Sequence, residues 1–335
     1  MASLITGASG FLGGRLAQML LEQGDDVILL ARRGADLRHL PGDLHADRMK
    51  VVRGDLGDPA ALQEAAEQAT RVFHCAACST DWAPDATYHA ANVVGTGNLV
   101  AAARRAPRLQ RFVHVSSTDI YGYPTIPCAE DHPFVDAGLP YNRTKGLGEE
   151  MVWKAAREHR LPVTIVRPAT IYGPRGKDFT QEIATMLRQR MMATIDQGSA
   201  PGGFVYVDTV AQAMLDASVS PRTEGRAYNI ADGSGVTWST YLKVFAEQLG
   251  TATPWINLSS SAAMGLARAL EAPHRLLRLG GRPLLTRHAV YLLSRSQEFP
   301  TDRARAEFGF SPRIGIEEGI RRSIAWLNDS QAAKR

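Results

Sequence analysis

Three side chains in this sequence have the types and spacing to handle a proton at a carbon-bound oxygen: Ser117, Tyr141 and Lys145. In Tyr141-Asn-Arg-Thr-Lys145 the phenol and the ammonium stand at i and i+4, so a helix places both on one face. A free phenol titrates near ~10 and is a poor base at neutral pH. A neighbouring positive charge favours the phenolate and lowers that value. Ser117 lies in Ser116-Ser117-Thr118 at the end of an apolar run, where its hydroxyl could hold a substrate oxygen beside the phenol. Lysine is scarce here, six against 32 arginines, so Lys145 has few rivals for a catalytic role.

A second constellation lies near the N-terminus, in Thr6-Gly7-Ala8-Ser9-Gly10-Phe11-Leu12-Gly13. A strand-like run precedes it and an amphipathic pattern (Leu12, Leu16, Met19, Leu20) begins inside it. Gly7 and Gly10 let the backbone turn tightly and approach a ligand, and Gly13 lets helix and strand pack closely. A pyrophosphate then sits on the amides at the helix N-terminus, where the dipole favours an anion. Ser9, Phe11 and Leu12 belong to the same cradle. Enzymes that use NAD usually place an acid after the second strand to hold the ribose; here Ala31 is followed by Arg32-Arg33. Two guanidiniums suit a 2′-phosphate, so the expected cofactor is NADP(H) rather than NAD(H). In Gly54-Asp55-Leu56-Gly57-Asp58 a carboxylate can accept from the adenine amino group while Leu56 packs on the ring. Asp58 has a competing role as helix N-cap. Ala76 and Ala77 are small, as backbone lying against a cofactor requires. A bound nicotinamide would add its positive charge beside Tyr141, and Lys145 can donate to its ribose.

The elements that must position these groups alternate regularly. Short apolar runs fall at Ser3–Thr6, Val27–Ala31, Lys50–Arg53, Arg71–His74, Phe112–Ser116 and Val163–Arg167, with helical patterns between them, the longest at Thr87–Arg105 and Tyr141–His159. Strand alternating with helix implies an α/β fold, a doubly wound parallel sheet covered on both faces. Strand-like runs recur at Phe204–Val207 and Ala227–Ile230, and Ala252–Gln297 is poor in strands. The expected division is a dinucleotide-binding domain of residues 1–170 with 204–230 interleaved, and a smaller, mostly helical substrate domain of 171–203 and 231–335.

Composition narrows the classes. The 335 residues are 44% hydrophobic with a net charge of +4, which excludes disorder and gives no argument for nucleic acid. Three cysteines cannot form a disulfide framework. Cys75-x-x-Cys78 lacks a helix N-terminus to depress a thiol and reads as packing rather than redox chemistry. With no signal-peptide pattern, no run long enough to span a membrane and no metal-ligand cluster, the expectation is a soluble, cytoplasmic protein acting on a small molecule.

Five blocks together resemble the extended short-chain dehydrogenase/reductase family, the NAD(P)-dependent epimerase/dehydratase group, which has the Rossmann fold. They are Thr6–Gly13, Gly54–Asp58, Val113–Gly122, Tyr141–Lys145 and Val166–Pro174, with Val205–Asp208 and Tyr228–Ile230 matching later positions. The resemblance implies that the Tyr is the general acid/base, the Lys binds the nicotinamide ribose and the Ser orients the substrate. It also places Asn92 near the cofactor, although a hydrogen bond at a helix bend explains that residue equally, and sets Pro168-Ala169 behind the nicotinamide. Sugar dehydratases of the family carry an acidic pair where this chain has Thr118 and Asp119, which argues against elimination of water. The C-terminal part resembles the 3β-hydroxysteroid dehydrogenase-like branch, and Trp82-Ala83-Pro84 is similar to reductases related to dihydroflavonol reductase. The leading expectation is an NADPH-dependent reductase of a bulky apolar ketone (steroid-, β-keto acid- or polyketide-like). The alternatives are a sugar-nucleotide epimerase, with Arg175 and Arg282 holding the diphosphate, and a cofactor-binding regulator without turnover. The resemblance further implies a homodimer through the helices containing Thr87 and Tyr141. The net charge is concentrated in Ala252–Gln297, where six arginines and one acid give +5. That segment reads as a helical cover with solvated arginines. It reads alternatively as a site for an apolar substrate bearing an anion, or for weak contact with a membrane surface.

Overall fold

The computed structural model describes residues 1–41, 46–277 and 279–332. Arg278, counted in the basic segment, lies outside them. The strands in chain order are β1 (Ala2–Thr6), β2 (Asp26–Ala31), β3 (Met49–Arg53), β4 (Arg71–His74), β5 (Arg111–Val115), β6 (Val163–Pro168), β7 (Thr170–Tyr172), β8 (Ala193–Ile195), β9 (Phe204–Tyr206), β10 (Arg226–Ile230) and β11 (Ile256–Leu258). Seven of them form one parallel sheet in the order β10-β6-β5-β4-β1-β2-β3. The order reverses between β1 and β4, and in such sheets ligands bind outside the carboxyl ends of the strands at that reversal. Thr6 and His74, paired across it, lead straight into the glycine turn and the Cys75–Cys78 loop.

The helices are α1 (Phe11–Glu22), α2 (Pro59–Glu67), α3 (Asp85–His89), α4 (Gly95–Ala103), α5 (Pro140–His159), α6 (Ile183–Arg188), α7 (Val207–Val219), α8 (Trp238–Leu249), α9 (Ser260–Leu276), α10 (Arg287–Ser294), α11 (Asp302–Phe308) and α12 (Ile316–Ala332). Neighbouring residues of β1 serve the two faces of the sheet: Ile5 packs with the α1 and α7 side, Leu4 with the α2, α4 and α5 side. Both faces are therefore buried, as a parallel sheet requires. Asp58 caps α2, its carboxylate accepting from Ala60 N and Ala61 N at 3.1 Å each, with Pro59 at the first helical position. The Thr87–Arg105 pattern is one continuous helical run interrupted by a five-residue π-helical turn, Ala90–Val94. The Phe204–Val207 run ends one residue early as a strand, because Val207 opens α7. The remaining strands make two short parallel pairs, β7 with β9 and β8 with β11, the last inside the stretch expected to be strand-poor.

α5 is fastened to the sheet by a buried ion pair. Arg167, near the end of β6, donates to both Glu149 oxygens, Nη2 to Oε1 at 2.5 Å and Nε to Oε2 at 3.1 Å. Its Nη1 donates to Tyr121 Oη and to the Glu130 carbonyl, both at 2.8 Å, and Tyr121 in turn donates to Asn229 Oδ1 of β10 at 2.7 Å. Glu149 lies one turn beyond Lys145 on the same helix, so this pair fixes the height of the helix that carries the tyrosine and lysine. Breaking one partner of such a pair strands a buried charge at a cost of about 3–5 kcal/mol. Glu149→Ala should therefore lower unfolding stability in urea by about that amount; a change below about 1 kcal/mol, the worth of a surface pair, would contradict the account.

Candidate active site

The glycine turn has the shape the sequence requires. Gly7 sits at φ +77°, and a Cβ there would stand 2.8 Å from Ala76 N. A Cβ on Gly13 would stand 2.5 Å from the Gly7 carbonyl oxygen, so only glycine allows α1 this close to the turn. Gly10 is the N-cap of α1, and no side chain caps the helix, which leaves its first amides to face the cleft. Ser9, Phe11 and Leu12 line the same end of the cleft. Arg32 lines it where β2 ends, while Arg33 is exposed beyond it; neither makes an ion pair among the described residues. Arg53, at the end of β3, donates to the Arg32 carbonyl at 3.3 Å, a third guanidinium in that corner that the sequence reading did not include. The Asp55 carboxylate accepts from Gly57 N at 2.7 Å, and Leu56 is held by Asn98 at 2.8 Å. Ala76, Ala77, Pro168 and Ala169 line the central part of the cleft.

Asn92 is buried and does not line the cleft. From the π-helical turn it accepts from Cys78 N at 2.8 Å and donates to the Cys78 carbonyl and to Thr144 Oγ1, both at 3.1 Å. It thus ties the loop after β4 to α5 beside Lys145. Cys75 and Cys78 are free thiols, and burial pushes Cys75 up to about 12, so it stays protonated. These groups fit a dinucleotide: a glycine cradle that any side chain would fill, unclaimed helix-end amides and a cationic corner at the distal end.

Ser117, Tyr141 and Lys145 meet at the centre of the cleft. Lys145 Nζ donates to the Val115 carbonyl at 2.5 Å. Burial lowers the ammonium to about 8, against the opposing pull of Glu149, Cys75 and Asp119. Burial, and then the Asp119 carboxylate, hold the Tyr141 phenol above its ordinary value, while the nearby Ser117 hydroxyl opposes them.

Asp119 organises the floor of the site. Its Oδ1 accepts from Ser117 Oγ at 3.2 Å, and its Oδ2 accepts from Tyr123 Oη at 2.7 Å and His288 Nε2 at 2.8 Å. Burial alone would raise this carboxyl, but His288, Tyr123 and Ser117 together keep it below its ordinary value. The His288 ring lies over Tyr141, centroids 5.5 Å apart and planes 27° from parallel. His288, Tyr123 and this use of Asp119 were not identified from the sequence. A single histidine in a Leu- and Arg-rich helix carries no motif, and only the fold brings it 169 residues back to Asp119.

Beyond Tyr141 the cleft, about 1200 Å³ in all, is walled by Phe179, Ile183, Met186, Met192, Ile195, Trp238, Leu258, Leu284, Leu285, Leu292 and Leu293. The charged groups lining this part of the cleft are Asp81, Lys177, Asp178, Glu182 and Arg282. Arg282 is engaged by Asp81 at 2.7 Å and by Glu182, and Thr286 donates to the same Asp81 at 2.7 Å. Asp178, also in the lining, is held above its ordinary value by burial and by Asp81 and Glu182. Arg275 and Arg287 share the buried Glu271. Much of the basic surplus in Ala252–Gln297 is therefore taken up by carboxylates. Arg175, with φ +71°, turns away to the glycine turn, where Nη2 donates to Ser9 O at 3.2 Å and the buried Nη1 has no partner among the described residues. Nitrogen-resolved NMR of the cofactor-free protein should show Lys145 losing its proton near pH 8; a midpoint at the ordinary lysine value of ~10.4 would contradict the burial seen here.

Comparison with known proteins agrees with this architecture. Residues 3–231 match the NAD dependent epimerase/dehydratase family. The chain is 32% identical over 331 residues to 2-alkyl-3-oxoalkanoate reductase of Stenotrophomonas maltophilia, covering 96% of this chain and 98% of that protein. It is 31% identical over 325 residues to a 4-hydroxy-2-methyl-3-oxo-4-farnesyl-3,4-dihydroquinoline-1-oxide ketoreductase of Stigmatella aurantiaca, covering 96% and 95%. Among solved structures, MoeE5 in complex with UDP-glucose and NAD superposes with a TM-score of 0.77 at 26% identity, covering 99% of this chain and all of that one. With a seven-stranded parallel Rossmann sheet, a glycine cradle and a Ser-Tyr-Lys centre, the chain belongs to the NAD dependent epimerase/dehydratase family, within the extended short-chain dehydrogenases/reductases.

Proposed function

We propose that this protein is an NADP(H)-dependent oxidoreductase that interconverts a ketone and a secondary alcohol on a bulky, largely apolar molecule. The observation that carries this reading is the state of the two arginines a sugar nucleotide would need. Arg282 is neutralised by Asp81 and Glu182, and Arg175 faces the cofactor turn, so neither offers a free guanidinium to a substrate diphosphate. What remains above Tyr141 is a largely apolar chamber edged by Asp81, Asp178 and Glu182 and by the ammonium of Lys177. In this reading residues 1–170 with 204–230 hold the cofactor and 171–203 with 231–335 hold the substrate. The similarity to a 2-alkyl-3-oxoalkanoate reductase and to a ketoreductase of a farnesylated quinoline oxide supports it. The related structure that holds UDP-glucose and NAD keeps sugar-nucleotide epimerisation as the second reading.

The nicotinamide, when bound, supplies or accepts the hydride. The chain does the rest. The phenol of Tyr141, kept protonated by burial, is the acid that places a proton on the substrate oxygen during reduction. Ser117 donates to the same oxygen as its negative charge develops. Lys145 holds the ribose hydroxyls and supplies positive charge beside the phenol. Arg32 and Arg33, with Arg53 behind them, hold the 2′-phosphate of NADP(H), and the amides of Phe11, Leu12 and Gly13 hold the pyrophosphate. The apolar wall excludes water and orients the substrate by shape. The protein acts in this reading as a cytoplasmic enzyme.

Purified protein should oxidise NADPH in the presence of a bulky apolar ketone, and Tyr141→Phe should lose roughly 10²–10⁴-fold in kcat. Undiminished turnover in that variant would contradict the role of Tyr141. Interconversion of sugar nucleotides by wild type would favour the second reading. Arg32→Ala should raise the Kd for NADPH by about tenfold or more, the worth of a charge-assisted hydrogen bond, and leave NADH nearly unchanged. Equal losses for both cofactors would contradict the phosphate role.

A further inference from the structure

Ser117 has one hydrogen to give, and two acceptors compete for it. In this structure it points to Asp119 Oδ1 at 3.2 Å, a long contact for a hydroxyl donor. When reduction begins, the same hydrogen must turn to the substrate oxygen. Whether it can do so depends on how strongly Asp119 demands it. An ionised, buried carboxylate with unsatisfied lone pairs would keep the hydroxyl. Asp119 is relieved of that demand by two donors on its other oxygen, Tyr123 at 2.7 Å and His288 at 2.8 Å.

The two donors differ in origin. Tyr123 lies four residues from Asp119 and comes with the same turn, whereas His288 is delivered by α10 from the substrate side of the molecule. There it is buried, at 6% exposure, and its ring covers Tyr141. α10 is itself anchored beside the site, with Thr286 on Asp81 and Arg287 N donating to Glu271 at 2.7 Å. We propose that His288 is a positioning residue: by donating to Asp119 it releases the Ser117 hydroxyl to the substrate oxygen, so that the substrate-side helix α10 completes the catalytic centre. This rests on the reductase reading above.

The test compares wild type with His288→Ala, His288→Gln and the double variant His288→Ala/Asp119→Asn, using NADPH and one ketone that wild type reduces. His288→Ala should lower kcat at least about tenfold, the scale of losing an oxyanion donor, while the KM for NADPH stays within about twofold. His288→Gln, whose amide keeps a donor for Asp119, should retain most of kcat. Asp119→Asn in the His288→Ala background should recover part of the loss, because a neutral amide can donate to the Ser117 oxygen and leave its hydrogen free. A merely structural role would give none of this recovery. Wild-type kcat in His288→Ala, or a double variant no faster than His288→Ala, would overturn the proposal alone. Failure of wild type to reduce any ketone would overturn it together with the reading on which it rests.

Discussion

Much of this site hangs on the buried contact between Arg167 and Glu149. A guanidinium and a carboxylate taken out of water are unfavourable unless each finds nearly all its partners, and here the surrounding groups supply them. Arg167 reaches Glu149, Tyr121 and the Glu130 carbonyl, and Trp153 donates to Glu149 at 3.0 Å. Glu130 in turn accepts from the Asn229 amide at 3.0 Å. The network therefore joins α5, the turn after β5 and the strands β6 and β10. Each of these contributes to the site: α5 brings Tyr141 and Lys145, the turn brings Ser117 and Asp119, and β6 ends in Pro168. With so many directional bonds, the relative heights of these elements have one solution, and the catalytic side chains inherit it.

Above that foundation, electrostatics set the two ends of the cleft apart from its centre. The positive ends are in place: helix amides at the glycine turn and guanidiniums at the distal corner. The centre itself is buried beside the Asp119 carboxylate, and burial pushes Tyr141 up and Lys145 down. Both shifts favour neutral forms, as expected when charge is taken out of water. On the substrate side Arg282 answers Asp81 and Glu182, and the rest of the wall is largely apolar.

The sequence made the cofactor half of the molecule readable because its constraints are local. Gly7 and Gly13 are needed for contacts within one turn, Asp58 and Pro59 open a helix next to them, and Tyr141 and Lys145 share a face by helix geometry alone. The sheet followed from the alternation of short apolar runs with amphipathic ones. What stayed hidden depends on long-range approach. His288 looked like any histidine in a Leu-rich helix, and Arg282 looked solvated because its acidic partners, Asp81 and Glu182, lie far away in the chain. Arg175 could not be assigned to substrate or cofactor until its left-handed backbone turned it toward Ser9. The burial of Tyr141 was hidden for the same reason, since it is a property of the packed chain rather than of the Tyr-Lys spacing.

The central claim is hydride transfer to a ketone carbon in an apolar chamber without a nucleotide handle. It is tested most directly by incubating the protein with a bulky apolar ketone and NADPH carrying deuterium at one face of nicotinamide C4, then locating the label by mass spectrometry. The account predicts an alcohol with one deuterium on the carbinol carbon from one of the two C4-labelled forms of NADPH and none from the other. An unlabelled product from both forms, or activity confined to sugar nucleotides with no net consumption of NADPH, would contradict it.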